Sequence, residues 1–320
     1  MMDIDVLVIG RSCLDIISVV EQFPQEDTKI PLLYRMVEGG GQGGTASCCI
    51  ARLGGEVVYY GCLGADNEGL FCLERLKDFN VEPEYVDIIE DGKTPIAYLF
   101  ITRESGKRTI IYEKSSLPPL SGDRLAQILV YPVKVVLLDP EVTYLAEDIK
   151  ALAGDDIRIV YDCERWHEDI PAIMAAADYF IPSADFLQVE ELNPANLSFE
   201  QQMFRLAEMV TGYLVVTRGE KGAYYISGEQ LINVPAPKVE VKDTTGAGDN
   251  FHAAFSLAVS RGYDLCAAVK FSVAVASLSC REYGGRQGVP DINEAQELAD
   301  KLEEQVVVTK KEIFSDQVTR

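Results

Sequence analysis

The sequence predicts an α/β fold: a three-layer αβα sandwich with a central, mostly parallel sheet and a small β-sheet set apart as a lid. Three observations predict it. Six short runs rich in β-branched and aliphatic residues recur along the 320 residues, each bounded by Gly, Pro or Asp. Amphipathic helical patterns lie between or after them, and such alternation builds right-handed βαβ units into a sheet buried on both faces. Residues 94–113 break the alternation, with strand residues on both sides of a polar Glu104-Ser105-Gly106-Lys107 turn, which is the pattern of a hairpin.

Each element has its own warrant. Strands are expected at 6–9 (VLVI), 57–60 (VVYY), 135–138 (VVLL), 157–160 (IRIV), 179–181 (YFI) and 213–217 (YLVVT). A helix follows Asp66, a capping residue, with Leu70, Leu73, Leu76 and Phe79 on one face; another follows Ser198, with Phe204, Ala207 and Val210 aligned. A helix over 45–53 ends at Gly54-Gly55, and one more leaves the loop at 243–249 and runs through Phe255 and Val259 to stop at Gly262. An extended segment at 29–37 joins the hairpin in the lid, assembled from about 12–38 and 92–114 of a single domain spanning 1–320. Beyond Ile292 the pattern is a charged amphipathic helix and then a polar end.

Composition narrows the chemistry. Twenty-nine Lys and Arg against 51 Asp and Glu give a formal net charge of -22, a field that repels nucleic-acid backbones and anionic lipid surfaces. A small phosphorylated ligand is still admissible, because a local group of backbone N–H donors binds phosphate without any cationic side chain. The first ten residues carry no basic leader and no run reaches 18 apolar residues, so a cytoplasmic protein is expected. The eight Cys form no CxxC pair and are expected as reduced thiols. Two His leave little material for a His-rich metal site or a Ser-His-Asp arrangement.

Two glycine-rich segments carry the chemistry. In 242–255 (KDTTGAGDNFHAAF) a small-residue loop enters a helix, so that backbone N–H groups at the helix N-terminus form an anion hole with the Asp249 carboxylate on its lip. That pairing supplies donors for a transferring phosphoryl group and a base for an attacking hydroxyl. In 39–55 (GGGQGGTASCCIARLGG) five glycines lead into a helix, which suits either a close backbone approach to a ligand or a hinge.

Together these segments resemble the signatures of the PfkB/ribokinase family of carbohydrate kinases, and the resemblance runs nearly end to end. Residues 243–249 match its DTxGAGD signature at every fixed position. Gly40, Gly41 and 51–54 match its GG…ARLG signature. Gly64, Asp66 and Gly69 fit GxDxxG, and Thr217, Gly219 and Gly222 fit the TxGxxG nucleotide loop. The resemblance implies a ribokinase-like fold and ATP-dependent phosphorylation of a sugar hydroxyl with Mg²⁺. It gives Asp249 the role of base, and Gly246, Ala247 and Gly248 that of the anion hole, with Thr245 and Gly246 also at the nucleotide. Asp15, Gly40, Gly41, Thr45, Glu141 and Lys29 are its candidates for the sugar side. Asp243, with the loop at 284–288, is similar to the pieces that hold a monovalent cation, K⁺, in family members.

The match has departures. Thr45 stands where many members carry Asn, and Ser183-Ala184-Asp185-Phe186 replaces the NxxE that helps position Mg²⁺, leaving Asp185 or water to hold the metal. Thr45, Phe251-His252 and Gly284-Gly285-Arg286 resemble the subgroup that includes sulfofructose kinases. Tyr112 and Glu141, however, occupy places where a sulfonate needs polar or cationic ligands, and Lys29 is the one nearby cation. Tyr34, Tyr98, Phe100 and Tyr112 in the lid segments keep a nucleoside kinase as the same-class alternative. The missing NxxE keeps a sugar-binding pseudokinase or sensor as the other alternative. Dimerisation through the hairpin is a further expectation. His252, one turn into its helix, reads as structural rather than catalytic.

Overall fold

The computed structural model describes residues 3–154, 156–192 and 197–314, so the last six residues of the polar end lie outside the described residues. The chain begins with β1 (Ile4–Ile9), β2 (Cys13–Val20) and β3 (Tyr34–Gly40), and then forms α1 (Gln42–Arg52), β4 (Val57–Gly64) and α2 (Asn67–Asp78). Next come β5 (Val86–Ile89), β6 (Ile96–Thr102), β7 (Arg108–Tyr112), α3 (Gly122–Ile128), β8 (Val133–Leu138) and α4 (Ala146–Ala153). The middle holds β9 (Arg158–Cys163), α5 (Ile170–Ala176), β10 (Tyr179–Pro182), α6 (Phe199–Ala207) and β11 (Tyr213–Thr217). It closes with β12 (Ala223–Ser227), β13 (Gln230–Val234), α7 (Ala247–Ser260), α8 (Leu265–Ser279), α9 (Ile292–Ala299), β14 (Gln305–Thr309) and α10 (Lys310–Phe314).

Ten strands form one sheet in the order β14-β13-β12-β11-β10-β9-β8-β1-β4-β5. Pairing is parallel from β5 through to β11 and antiparallel beyond it. All six expected strands are present in the parallel part. Their side chains alternate between two cores: Val6, Val8, Val135 and Leu137 pack with α1, α7 and α8, while Leu7, Ile9, Val136 and Leu138 face the other way among α3, α4 and α5. Burial on both faces is why these runs read as continuous apolar stretches.

The small sheet has four strands in the order β3-β2-β6-β7, with a core of Ile17, Val19, Leu99 and Ile101. The hairpin at 94–113 is β6 and β7, paired antiparallel. Four sequence expectations need correction. The extended segment at 29–37 begins its strand only at Tyr34, because 29–33 is an exposed connection. The helix expected to start at Thr45 starts at Gln42, so Gly43 and Gly44 lie in its first turn. Leu70 is 57% exposed; α2 turns Cys72 and Leu76 inward instead. The tail beyond α9 is not merely polar, since β14 pairs with β13 and extends the large sheet. Among the described residues no helix is long and apolar enough to cross a membrane.

Candidate active site

Strand order puts the carboxyl ends of β1, β8, β9, β10 and β11 side by side, and the chemistry-bearing residues collect there. Helix starts in the fold are of two kinds. Side chains cap α2, α6, α8 and α9, through Asp66, Ser198, Asp264 and Asp291. The helices α1, α3, α4, α5 and α7 have no side-chain cap, and of these α1 and α7 leave the two glycine-rich loops, from Gly41 and Gly246. First-turn N–H groups lack intrahelical acceptors, so an uncapped start offers donors to a ligand.

At α7 this offer is specific. Gly246 takes φ 73°, a left-handed conformation that suits glycine, and a Cβ there would come within 2.6 Å of Gly285 Cα. A Cβ on Gly248 would meet nothing within 4 Å, so the space over the helix start is open. Ala247 N–H is turned back to the Thr244 carbonyl at 3.3 Å, which leaves Gly248 and Asp249 as the first-turn donors on that opening. The Asp249 carboxyl lies in the same turn, half-buried, and burial together with the nearby Asp162 charge pushes its pKa up to about 7. A carboxyl that titrates near neutrality is suited to general-base work.

The Asp243–Gly248 loop is held from three sides. Asp243, fully buried, accepts from Thr245 N–H and Gly284 N–H, both at 2.8 Å, so its two oxygens clasp the neighbouring loop. Asn250 donates to the Gly285 carbonyl at 2.8 Å, and Thr45 is buried with its side chain facing Gly285. The tip of the β6–β7 hairpin docks on the loop, where Thr244 N–H and hydroxyl both donate to the Gly106 carbonyl at 3.3 Å and Arg108 donates to the Thr244 carbonyl at 3.2 Å. Sequence reading missed this contact, because it joins residues 136 positions apart.

Toward the small sheet, Asp15 on β2 is buried and sits against Gly40, where any Cβ would collide with its carboxylate. Burial pushes the Asp15 carboxyl up to about 6, while the Cys13 thiol, donating at 3.2 Å, and the Arg286 charge hold it down. Glu38, opposite Asp15 in the β2/β3 register, accepts from Gly39 N–H and from the Gln287 amide. Arg286, fully buried, donates to the Gly40 carbonyl at 3.0 Å. Glu141 is exposed and paired with Arg11 at 2.8 Å, beside the end of β1, and Lys29 is exposed in the connection before β3.

On the other flank, Ser183, Asp185, Gln188, Phe199, Thr217 and Gly219 line a cleft of about 330 Å³. The predicted nucleotide loop divides here. Gly219 opens onto the cleft, whereas Gly222 is required by packing: at φ 83° its Cβ would strike the Val234 carbonyl. Gly222 therefore shapes the turn, accepting from Arg218 N–H at 2.8 Å, and does not line the cleft.

Two further buried carboxylates escaped sequence reading. Asp139 follows β8 and accepts from Arg11 and Glu141 N–H groups; burial lifts it to about 6. Asp162 lies within β9, and burial raises it well above the usual carboxylate range. An acid at the end of an otherwise apolar strand run (LLDP, VYDC) was the available signal. The GxDxxG segment, by contrast, is a structural clasp. Asp66 accepts from Gly69 N–H at 2.8 Å and from the Thr94 N–H and hydroxyl at 2.9 and 2.7 Å, tying α2 to the start of β6. Burial opposes its ionisation but these bonds outweigh it, so its pKa is lowered. Asp66→Ala is therefore expected to cost about 2 kcal/mol in urea unfolding at neutral pH. With a depressed folded pKa, that contribution is present above the unfolded carboxylate value and fades as pH falls through the folded one.

Similarity to known proteins extends over the whole arrangement. The family described as pfkB family carbohydrate kinase matches residues 3–310. A ribokinase of Bacillus subtilis is 28% identical over 302 residues, covering 92% of this chain and 99% of its own. A nucleoside kinase of Methanothermobacter thermautotrophicus is 24% identical over 307 residues, covering 92% and 94%. Among solved structures, Arabidopsis thaliana ribokinase complexed with ribose and ATP superposes with a TM-score of 0.77 at 24% identity, covering 93% of this chain and 99% of that one. The clasped glycine loop, the uncapped α7 and the end-to-end match lead to one conclusion: the chain belongs to the pfkB family of carbohydrate kinases.

Proposed function

We propose that this kinase transfers the γ-phosphoryl group of ATP to a hydroxyl of a neutral sugar, with Asp249 as the base and the start of α7 as the anion hole. The observation that carries the reading is the single helical turn that holds both an uncapped, open N-terminus and a carboxyl pushed up to about 7. The sugar hydroxyl gives its proton to Asp249 and attacks the phosphorus, while the Gly248 and Asp249 N–H groups meet the charge that develops on the phosphoryl oxygens. The cleft at Thr217 and Gly219 receives the nucleotide. Its exposed Asp185 carboxylate fits Mg²⁺, which would neutralise phosphate charge there, with Thr245 and Gly246 at the phosphate end. Asp15, Gly40 and Gly41 hold the sugar from the other side, with Thr45 behind them.

A neutral acceptor is favoured over a sulfonated one because the acids Asp15, Glu38 and Glu141 dominate the sugar side and Arg11 is already paired with Glu141. A nucleoside is disfavoured because three of the four lid aromatics are engaged within the chain, while Tyr112 stands exposed. Tyr34 stacks on Tyr283, Phe100 meets Phe23 edge-on, and Tyr98 donates to Glu113. The deciding experiment is ADP release over hexoses, pentoses, sulfonated sugars, sugar acids and nucleosides. A neutral sugar is expected to give the highest kcat/KM. Preference for a nucleoside would transfer the reading to the nucleoside kinases, and sugar binding without ADP from any acceptor would make the protein a sensor.

Two subsidiary readings belong with it. Asp243 and the 284–288 loop form a monovalent-cation site, tested by turnover in K⁺ against Na⁺ buffers. The edge strand β7 presents Ile110, Ile111 and Tyr112 at 45–57% exposure, which supports a homodimer through the small sheet. Light scattering should return twice the chain mass, and a monomer at high concentration counts against it.

A further inference from the structure

His252 is buried at 4% exposure on α7, one turn beyond Asp249. Its Nδ1 lies 2.7 Å from the Gly248 carbonyl oxygen and its Nε2 lies 2.9 Å from the Ile181 carbonyl oxygen on β10. Both partners are pure acceptors. A neutral imidazole carries one proton, so either tautomer would leave a bare nitrogen facing a carbonyl lone pair. Only the doubly protonated ring satisfies both contacts.

The charge has a counter-ion. Asp162, the register neighbour of Ile181 on β9, places Oδ1 3.5 Å from the same Nε2. Burial is the largest influence on the imidazole and leaves its pKa below the ordinary value, although the two carbonyls and the Asp249 charge oppose that shift; burial likewise drives the Asp162 carboxyl up. A neutral histidine beside a protonated Asp162 and an imidazolium beside a carboxylate hold the same number of protons. The pair therefore chooses where one proton sits, and the two carbonyl contacts decide it.

We propose that His252 is a positioning residue of the phosphoryl-transfer site, a buried imidazolium that donates from both ring nitrogens and ties the Asp249 turn of α7 to the end of β10. The Gly248 carbonyl it grips belongs to the same peptide unit as the Asp249 N–H, one of the first-turn donors. Donation to that oxygen polarises the peptide and strengthens the N–H toward an anion. Its positive charge also favours the ionised Asp249, which faces Asp162 and Asp15 as like charges and Arg108 as the other cation.

The proposal rests on the reading of Asp249 as the base, and its test separates the two. With two histidines in the chain, ¹⁵N spectra of the unaltered full-length protein are assigned by comparison with a His167→Gln variant. At pH 8, well above the ~6.5 of a free imidazole, both His252 nitrogens are expected in the protonated range. A nitrogen in the unprotonated range at pH 8 would overturn the proposal whatever Asp249 does. In folded His252→Asn and His252→Gln variants kcat should fall ~10- to 100-fold with both KM values little changed. The acid limb of kcat/KM should move to higher pH, because Asp249 loses a cation that favours its charged form. An unchanged limb with unchanged kcat would also overturn it. Should Asp249→Asn remain active, the base reading fails while the nitrogen spectra still judge His252.

Discussion

Asp249→Asn is expected to abolish turnover, lowering kcat by ~100-fold or more, while the sugar still binds in calorimetry. The amide keeps the size and polarity of the side chain and removes only its capacity to take a proton. The pH profile of the unaltered enzyme supplies the companion result. The carboxylate is the working form, so with a pKa of about 7 the kcat/KM should fall about tenfold per unit on the acid side and level off above it. Stability should move the opposite way. A carboxyl whose folded pKa exceeds its unfolded value makes the folded state bind more protons, so its favourable contribution is complete below the unfolded value and lost as pH rises through about 7. Asn carries no such dependence. The variant should thus gain stability relative to the parent between about pH 4 and 7 and hold that gain at pH 8, as urea unfolding at pH 5 and 8 would show. Lost turnover with gained stability separates a base from a damaged fold; near-normal turnover in the Asn variant would sink the mechanism.

The parallel half of the large sheet was legible because strands buried on both faces must be apolar throughout, and 135–138 or 213–217 declare themselves in a single chain. The strands that were missed are those whose burial depends on partners elsewhere. In β2, Asp15 and Ser18 interrupt an otherwise apolar stretch, and only pairing with β3 and β6 explains a buried carboxylate in a strand. In β14, the valines at 306 and 307 stay exposed, and it is the pairing with β13 that makes this β-branched run part of the sheet. The site followed the same division. A glycine loop feeding a helix is local, and 243–249 could be read directly. The Gly106–Thr244 docking, the Arg286–Gly40 bond and the His252–Ile181 contact span 71 to 246 positions and became visible only with the fold.

Gly248→Val tests the other half of the mechanism, the backbone donors. A β-carbon at 248 meets nothing within 4 Å outside its own helix turn, so valine is expected to be accommodated, and in a helix it is ~0.4 kcal/mol more favourable than glycine. Its branches instead fill the space over the first-turn N–H groups. Thermal stability should hold or rise slightly, sugar affinity should persist, and kcat/KM for ATP should drop ~100- to 1000-fold, the scale of losing an oxyanion-hole donor. Gly246→Ala is the contrasting variant. Its φ of 73° and the 2.6 Å approach to Gly285 Cα make any side chain there strained, so activity should fall together with stability, by ~1–3 kcal/mol. Two glycines separated only by Ala247 are thus expected to fail for different reasons, one by blocking the ligand and one by spreading the loop. ATP turnover within a few-fold of the parent in Gly248→Val would remove the phosphoryl group from the start of α7. In a chain of net charge -22 neutral backbone N–H groups are a natural means of meeting phosphate, and position 248 is where that contribution is most directly exposed to experiment.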